Sequence, residues 1–255
     1  MSIQSLEKTS ITTLEKTLNN VIQEAEQRQS LPSEAETLPS YQHFVENYDL
    51  PETKPIQWLF KRTLDIACSF TGILALSPLL IFVALAIRLE SKGPVIYKQR
   101  RVGYKGQMFN MYKFRSMRQD ADALLEQLLE KNETNGGMFK LFNDPRVTKV
   151  GRFIRKYSID ELPQLFNVLK GDMSLVGPRP PIDRELKHYK DWHYLRFKTF
   201  PGLTGLWQVS GRSRIKEFDT VVKMDVHYIK EWNILLDIKL ILKTLPVVFG
   251  GMDTA

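Results

Sequence analysis

The apolar residues of this chain concentrate in one long segment. From Ile66 to Ile87, 22 consecutive residues carry no charged side chain. At about 1.5 Å per residue, a helix of this length covers about 33 Å, which is enough for the hydrocarbon core of a bilayer. The segment lies well inside the chain, after a polar stretch, which excludes a signal peptide. The pattern predicts a membrane helix, with a long buried core helix as the alternative.

The interior and the flanks of this segment argue against a straight crossing. Ser77 and Pro78 lie near its middle, where a proline removes a backbone hydrogen bond and bends a helix. Basic residues flank both ends, which favours a cytoplasmic position for each end; they are Lys61, Arg62, Arg88, Lys92, Lys98, Arg100 and Arg101. The pattern predicts a re-entrant helix over residues 56–92 that breaks at Ser77-Pro78 and returns to the same side.

The rest of the chain divides into a leader and a larger region. Residues 1–55 are acidic and polar, and they are predicted to be partly helical or disordered. Residues 93–255 are predicted to form a cytosolic catalytic domain. Strand-like segments occupy 94–97 and 108–113, and helical patterns occupy 119–131, 216–230 and 233–249.

These elements predict an α+β fold that is mainly helical, with amphipathic helices at the membrane interface. The pattern over 233–249 is strongly apolar on one face. Core packing is its first explanation, and a position in the membrane interface is the second.

Charge and composition exclude several classes of function. Residues 1–50 carry a net charge of −5 and the remaining residues carry +12, with 11 basic and 2 acidic side chains between Trp58 and Arg118. Such local basicity indicates an anionic partner, either nucleic acid, anionic lipid or a phosphorylated substrate, and the membrane segment disfavours nucleic acid. A single cysteine excludes a disulfide framework, and four scattered histidines make a histidine-built metal site improbable.

Two adjacent carboxylates lie at a predicted helix start. Pro163 suits the first turn of a helix, so a helix should begin near Asp160 and end at Gly171. One interpretation of Asp160 and Glu161 is helix capping, since Ser158 and Glu161 have capping-box spacing.

The basic residues around the pair favour a catalytic role for the two carboxylates instead. These residues are Lys113, Arg115, Arg152, Arg155, Arg179 and Arg212. Carboxylates amid cations suit a divalent metal with phosphates, where one carboxylate is a nucleophile and the other a metal ligand.

Four blocks of the sequence resemble the bacterial sugar transferases, the monotopic polyprenyl-phosphate phosphoglycosyl transferases. The likeness runs from about Phe60 to Phe249, and it rests on residues 61–65 leading into Ser77-Pro78, 112–117, 158–180 and 201–212. The resemblance implies transfer of a sugar 1-phosphate from a UDP-sugar to undecaprenyl phosphate, with release of UMP, at the cytoplasmic face of the bacterial inner membrane. It also implies a re-entrant helix broken at Ser-Pro.

The same resemblance assigns roles to individual residues. Asp160 matches the nucleophile that carries the phosphosugar, and Glu161 matches the ligand of Mg²⁺. Basic positions expected to contact phosphates or the nucleotide are Lys113, Arg155, Arg179 and Arg212. For Lys113 and for the nearby Arg115, a structural role or a position facing lipid is the alternative. The block over 201–212 resembles enzymes that transfer hexose 1-phosphate, glucose or galactose, to start capsule, exopolysaccharide or lipopolysaccharide assembly.

Two other functions stay open at this point. A membrane-associated binding protein would explain the apolar segment and the charge, but not the carboxylate pair among arginines. A phosphohydrolase with an aspartyl phosphate would release sugar phosphate without a lipid acceptor. The expected partners are the UDP-sugar, undecaprenyl phosphate and anionic membrane lipid, without nucleic acid, and a homodimer through the leader is left open.

Overall fold

The computed structural model describes residues 55–121, 123–124, 141, 144–211, 215 and 217–249. The predictions for the leader before Pro55, for most of the helix over 119–131, and for Arg212 lie outside these residues. The described part is mainly helical with few strands, which confirms the coarse fold class.

Helix α1 spans Pro55–Glu90 and is the longest described element, with 36 residues. It contains the whole uncharged segment and is long and apolar enough to enter a membrane. The helical conformation continues through Pro78, and the Ser77 hydroxyl donates to the Leu74 carbonyl at 2.8 Å. The predicted bounds agree within two residues, and the re-entrant path stays a prediction.

An antiparallel hairpin follows α1, where the sequence predicts two short strands. The second strand is confirmed within one residue, whereas the first begins two residues later and ends five residues later than predicted. Strand β1 spans Ile96–Val102 and strand β2 spans Met108–Phe114, and a short 3₁₀ turn, Tyr104–Gly106, connects them. In the register of this pair, Tyr97 lies opposite Lys113.

The next elements carry the carboxylate pair. Helix α2 spans Lys149–Lys156, a 3₁₀ turn spans Ile159–Glu161, and helix α3 spans Gln164–Lys170. Gly171 ends α3 in the left-handed conformation with φ of 93°, as its position predicts.

The rest of the described chain adds two parallel strands and five helical segments, and the two predicted C-terminal helices are confirmed within two residues. The elements are β3 (Ser174–Val176), α4 (Asp183–Leu186), a 3₁₀ segment (Asp191–Lys198), β4 (Gly202–Thr204), α5 (Leu206–Val209), α6 (Phe218–Glu231) and α7 (Ile234–Phe249).

Strands β3 and β4 approach so closely that only glycine fits beside them. A Cβ atom on Gly177 would overlap the Phe200 carbonyl, and one on Gly202 would overlap the backbone of Gly177. This contact explains why glycines occur in both sequence blocks that meet here.

The main core lies between α3, β3, α6 and α7. Its buried residues are Met111, Leu165, Val168, Met173, Leu175, Val176, Tyr228, Ile229, Trp232 and Leu240. Helix α7 buries Leu240 there, while its opposite side exposes Leu235, Ile238, Leu242 and Leu245. Core packing therefore explains one face of α7, and a second apolar face remains on the surface.

Both halves of α1 contact this same domain. In the first half, Arg62 donates to the Val168 and Leu169 carbonyls at the end of α3. In the second half, Val83 and Ile87 are buried in a cluster with residues of β2 and α2. The other side of α1 exposes large apolar residues along its length, including Phe60, Phe70, Leu74, Ile81, Phe82, Leu85 and Leu89.

Candidate active site

The carboxylate pair lies on a tight turn that packs against α1. Asp160 and Glu161 belong to the 3₁₀ turn between α2 and α3, so the regular helix begins four residues later than predicted, at Gln164. Ile159, the residue before Asp160, packs against the cluster that contains Val83 and Ile87 of α1. The turn is therefore held directly beside the apolar helix.

The capping-box interpretation of this pair is wrong. Ser158 adopts the left-handed conformation with φ of 53°, and its side chain makes no capping hydrogen bond. Capping of α3 therefore does not explain why the two carboxylates lie here.

The two carboxylates differ in exposure and in partner. Asp160 is 8% exposed, so its carboxylate lies in a largely water-excluded place. The Glu161 side chain is 21% exposed and its Oε1 accepts from the Lys113 ammonium at 2.8 Å. The structure thus brings Lys113, predicted from the sequence, into direct contact with one member of the pair.

Asn167 fixes the strand that carries Lys113 against the helix that follows the pair. Its side-chain oxygen accepts from the Tyr112 backbone N–H at 2.9 Å, and its amide nitrogen donates to the Asn110 carbonyl at 2.7 Å. Asn167 is completely buried, so these two bonds are shielded from water. Strand β2 and helix α3 therefore hold Lys113 and Glu161 in one geometry.

Two predicted arginines stand on either side of the turn in sequence. Arg155 lies in the last turn of α2, where its Nε donates to the Ser116 hydroxyl at 3.0 Å. Arg179 lies on a loop after β3, and its Nη1 is 3.4 Å from a carboxylate oxygen of Glu185. The Arg179 side chain is 31% exposed, so it remains accessible to a ligand.

Hydrogen bonds to its carbonyls fix the Arg179 loop from several sides. The Val176 carbonyl accepts from Lys61 of α1 at 3.0 Å, and the Arg179 carbonyl accepts from Arg196 at 3.0 Å. The Pro180 carbonyl accepts from Arg101 at 2.8 Å. With these contacts the backbone that carries Arg179 is preorganised.

Arg101 is a residue near the site that the motifs do not reveal. It is 5% exposed, and burial lowers the pKa of its guanidinium to about 9; the nearby Arg179 charge lowers it as well, whereas Glu185 and Glu161 raise it. The sequence places Arg101 only among the basic residues that flank the membrane segment. Burial along β1 does not alternate here, because Val102 is buried beside Arg101 while Arg100 is exposed, so no pattern in the sequence distinguishes Arg101.

The sequence predicts Lys61 as a surface charge that flanks the membrane segment, and the structure gives it a different role. Its ammonium is buried and pairs with the Asp237 carboxylate of α7 at 2.6 Å. The Tyr228 hydroxyl and the Trp232 indole also contact Asp237, at 2.7 and 3.1 Å. The start of α1 is therefore fixed to the C-terminal helices by a buried polar network.

Residues 56–251 match the family described as bacterial sugar transferase, and this match includes the turn, the hairpin and the Arg179 loop. The chain belongs to the bacterial sugar transferase family.

Curated relatives agree with this family. Over 207 residues the chain is 51% identical to the galactosyl transferase CpsE of Streptococcus agalactiae, covering 81% of this chain and 46% of that relative. Over 194 residues it is 50% identical to the undecaprenyl-phosphate galactose phosphotransferase of Salmonella typhimurium, covering 74% and 40%. Over 199 residues it is 40% identical to the exopolysaccharide production protein ExoY of Sinorhizobium fredii, covering 76% and 88%. The chain spans less than half the length of the first two relatives.

Magnesium is the metal that the family resemblance implies, with Glu161 as its ligand. Among the described residues, no group of three or more His, Cys, Asp or Glu side chains forms a protein cage for a cation. Mg²⁺ is commonly bound through one or two carboxylates together with substrate phosphates and water. The partly exposed Glu161 carboxylate fits that mode of binding.

Proposed function

We propose that this bacterial sugar transferase moves a sugar 1-phosphate from a UDP-sugar to undecaprenyl phosphate and releases UMP. The observation that carries the proposal is the position of Asp160, a buried carboxylate on a turn that packs against the apolar helix α1. A lipid phosphate at the membrane surface would reach a nucleophile held there. The name of the Salmonella relative, an undecaprenyl-phosphate galactose phosphotransferase, supports the acceptor.

The reaction has two displacements at the same phosphorus atom. A carboxylate oxygen of Asp160 attacks the phosphorus next to the sugar, and the bond from this phosphorus to the bridging oxygen of UMP breaks. The sugar phosphate is then bound to Asp160 as an acyl phosphate. A phosphate oxygen of undecaprenyl phosphate attacks next, the carboxylate leaves, and undecaprenyl diphosphate sugar is the product.

The cations of the site lower the repulsion between the carboxylate and the diphosphate. Lys113, Arg155 and Arg179 come from three different elements, and Arg212 would complete the set. An arginine fork binds two phosphate oxygens at once, which orients the phosphorus for attack. Bound Mg²⁺, held by Glu161, would add charge neutralisation at the diphosphate.

The contacts of α1 support a re-entrant path. A helix that crossed the bilayer could not keep both of its halves against one cytosolic domain, whereas Arg62 and Val83 both contact this domain. The apolar side of α1 and the exposed face of α7 would then lie in the cytoplasmic leaflet. A bend at Ser77-Pro78 would return the chain to the cytoplasm.

The names of the relatives support a sugar for the donor and a pathway for the product. A hexose 1-phosphate is the proposed cargo, with galactose or glucose as the sugar. Two of the relatives are named for galactose transfer, which supports galactose. The product would be the first lipid-linked sugar of a capsule, exopolysaccharide or lipopolysaccharide.

The test of this proposal is UMP release by the full chain in lipid nanodiscs with Mg²⁺. We expect release that requires both undecaprenyl phosphate and one UDP-sugar from a panel that includes UDP-galactose and UDP-glucose. Sugar phosphate formed without lipid would instead establish a phosphohydrolase. No release with any UDP-sugar would reject the proposed donor.

A further inference from the structure

Arg101 connects the β1–β2 hairpin to the loop of Arg179. Its Nη1 donates to the Pro180 carbonyl at 2.8 Å, and its Nε and Nη2 both donate to the Gln99 side-chain oxygen, at 3.1 and 2.6 Å. The backbone supports the same link, because the Val102 N–H donates to the Pro181 carbonyl at 3.0 Å. All of these partners are neutral.

The guanidinium of Arg101 therefore carries a buried charge without a carboxylate partner. Lys61 and Arg196, which are also buried, are paired, 2.6 Å from Asp237 and 2.7 Å from Asp225. The buried Arg115 resembles Arg101 instead, because its guanidinium donates to the carbonyl and the hydroxyl of Ser91. No Asp or Glu of the described residues forms an ion pair with Arg101. Burial of an unpaired charge opposes folding, so an anion that approaches Arg101 gains an unusually strong attraction.

The nearby Arg179 increases this effect. It is a like charge close enough to act on Arg101, and its own carboxylate contact, with Glu185, is a long one at 3.4 Å. Glu185 and Glu161 offset part of the charge of the two guanidinium groups, and neither carboxylate forms an ion pair with Arg101, so a positive potential remains around the Arg179 loop. A diphosphate carries the charge that would balance it.

We propose that Arg101 is a positioning residue, which fixes the Arg179 loop through Pro180 and adds a buried positive charge behind Arg179 that strengthens binding of the donor's diphosphate. This inference rests on the proposed function, because it takes the diphosphate of a nucleotide sugar as the anion. Arg101 itself does not touch the reacting atoms. It acts through the placement of Arg179 and through its field.

The test measures the dissociation constant of UMP for the full chain in nanodiscs. We expect Arg101→Gln to raise this constant about tenfold, the size of effect that one charge several ångström away has in a partly shielded site. Arg101→Lys keeps the charge and should raise it less, about threefold. The matched control is Arg100→Gln, which removes the same charge from the exposed side of β1 and should change it less than twofold.

Gln99→Glu separates the charge of Arg101 from its structural contacts. The substitution keeps the shape of the side chain and gives Arg101 a carboxylate partner, so the melting temperature should hold or rise while UMP binding weakens severalfold. It remains informative if Arg101→Gln does not fold. Unchanged UMP binding in Gln99→Glu, or equal losses in Arg101→Lys and Arg101→Gln that follow their melting temperatures, would overturn the proposal.

Failure of the inference and failure of the proposed function give different results. If Arg101→Gln binds UMP as tightly as the wild type does, the role of Arg101 is overturned and the transferase function is left intact. Wild-type protein that neither binds UMP nor releases it from a UDP-sugar would overturn both.

Discussion

The Lys113 ammonium lies 2.8 Å from the Glu161 carboxylate, which joins the β1–β2 hairpin to the turn that carries Asp160. Both side chains are about one-fifth exposed, so the pair is shielded in part but open to a ligand. A cation in this place can contact a phosphate on one side and neutralise the carboxylate of Glu161 on the other. Removal of Lys113 should therefore change both the use of the UDP-sugar and the dependence of activity on Mg²⁺.

Lys113→Gln is expected to lower kcat/KM for the UDP-sugar at least about tenfold, since one phosphate contact and its charge are lost. The same variant should need less Mg²⁺ for half-saturation, because Glu161 no longer has a competing cation. The measurement is UMP release over a range of Mg²⁺ concentrations. Lys98→Gln, on the exposed side of the same hairpin, is the control. Equal effects in both variants would contradict a direct role for Lys113.

The buried pair of Lys61 and Asp237 should control stability more than chemistry. Lys61→Met leaves an uncompensated carboxylate in the core, which is expected to cost about 3–5 kcal/mol. For a domain of this size, this corresponds to a melting temperature lower by roughly 10 °C. The double variant Lys61→Met/Asp237→Leu removes both charges and should regain much of the loss. A double variant less stable than Lys61→Met would contradict this account.

His193 should make folding sensitive to acid. Burial lowers its pKa to about 4, although Asp219 at 3.2 Å opposes the shift. Its Nδ1 accepts from the Lys190 N–H, so the proton of the neutral ring lies on Nε2. An unfolded histidine binds a proton near pH 6.5, and therefore the unfolded state takes up more protons between pH 6.5 and 4.

The stability that His193 provides is thus complete above pH 6.5 and is lost as the pH falls toward 4. We expect the melting temperature of the wild type to fall by a few degrees more than that of His193→Gln over this interval. The measurement is thermal unfolding at several pH values for both proteins. Equal slopes would show that His193 titrates alike in the folded and unfolded chain.

A re-entrant α1 predicts that both of its ends label from the cytoplasm. In a Cys68→Ser background, single cysteines replace the exposed residues Ile56 and Lys92 at the two ends. An impermeant maleimide should label both in inside-out vesicles and neither in intact spheroplasts. Labelling of the two positions from opposite sides would show that α1 crosses the membrane.

Local sequence signals predict the longest elements of this fold. The uncharged run predicts α1, the strand-like segments predict β2 and the start of β1, and Gly171 ends α3 as expected because glycine adopts the left-handed conformation readily. Each of these signals depends on neighbours along the chain. The pair of Asp160 and Glu161 was found in the same way, from adjacent carboxylates among arginines.

The features that the sequence does not predict depend on tertiary contacts. The capping box at Ser158 has the correct spacing, but packing of Ile159 against α1 favours a 3₁₀ turn instead of a helix start. Lys61 and Arg101 belong to a stretch of many cations, and only the folded chain determines which of them are buried. Spacing alone does not distinguish them from exposed neighbours such as Arg100.

The central claim is that Asp160 carries the sugar phosphate between donor and lipid. The most direct measurement uses a UDP-sugar labelled at the phosphate next to the sugar, given to the full chain without acceptor and then with undecaprenyl phosphate. We expect label bound to the wild-type protein, its transfer to lipid when the acceptor is added, and no label or turnover with Asp160→Asn. Appreciable turnover by Asp160→Asn, or label on the protein that the lipid does not remove, would contradict this claim.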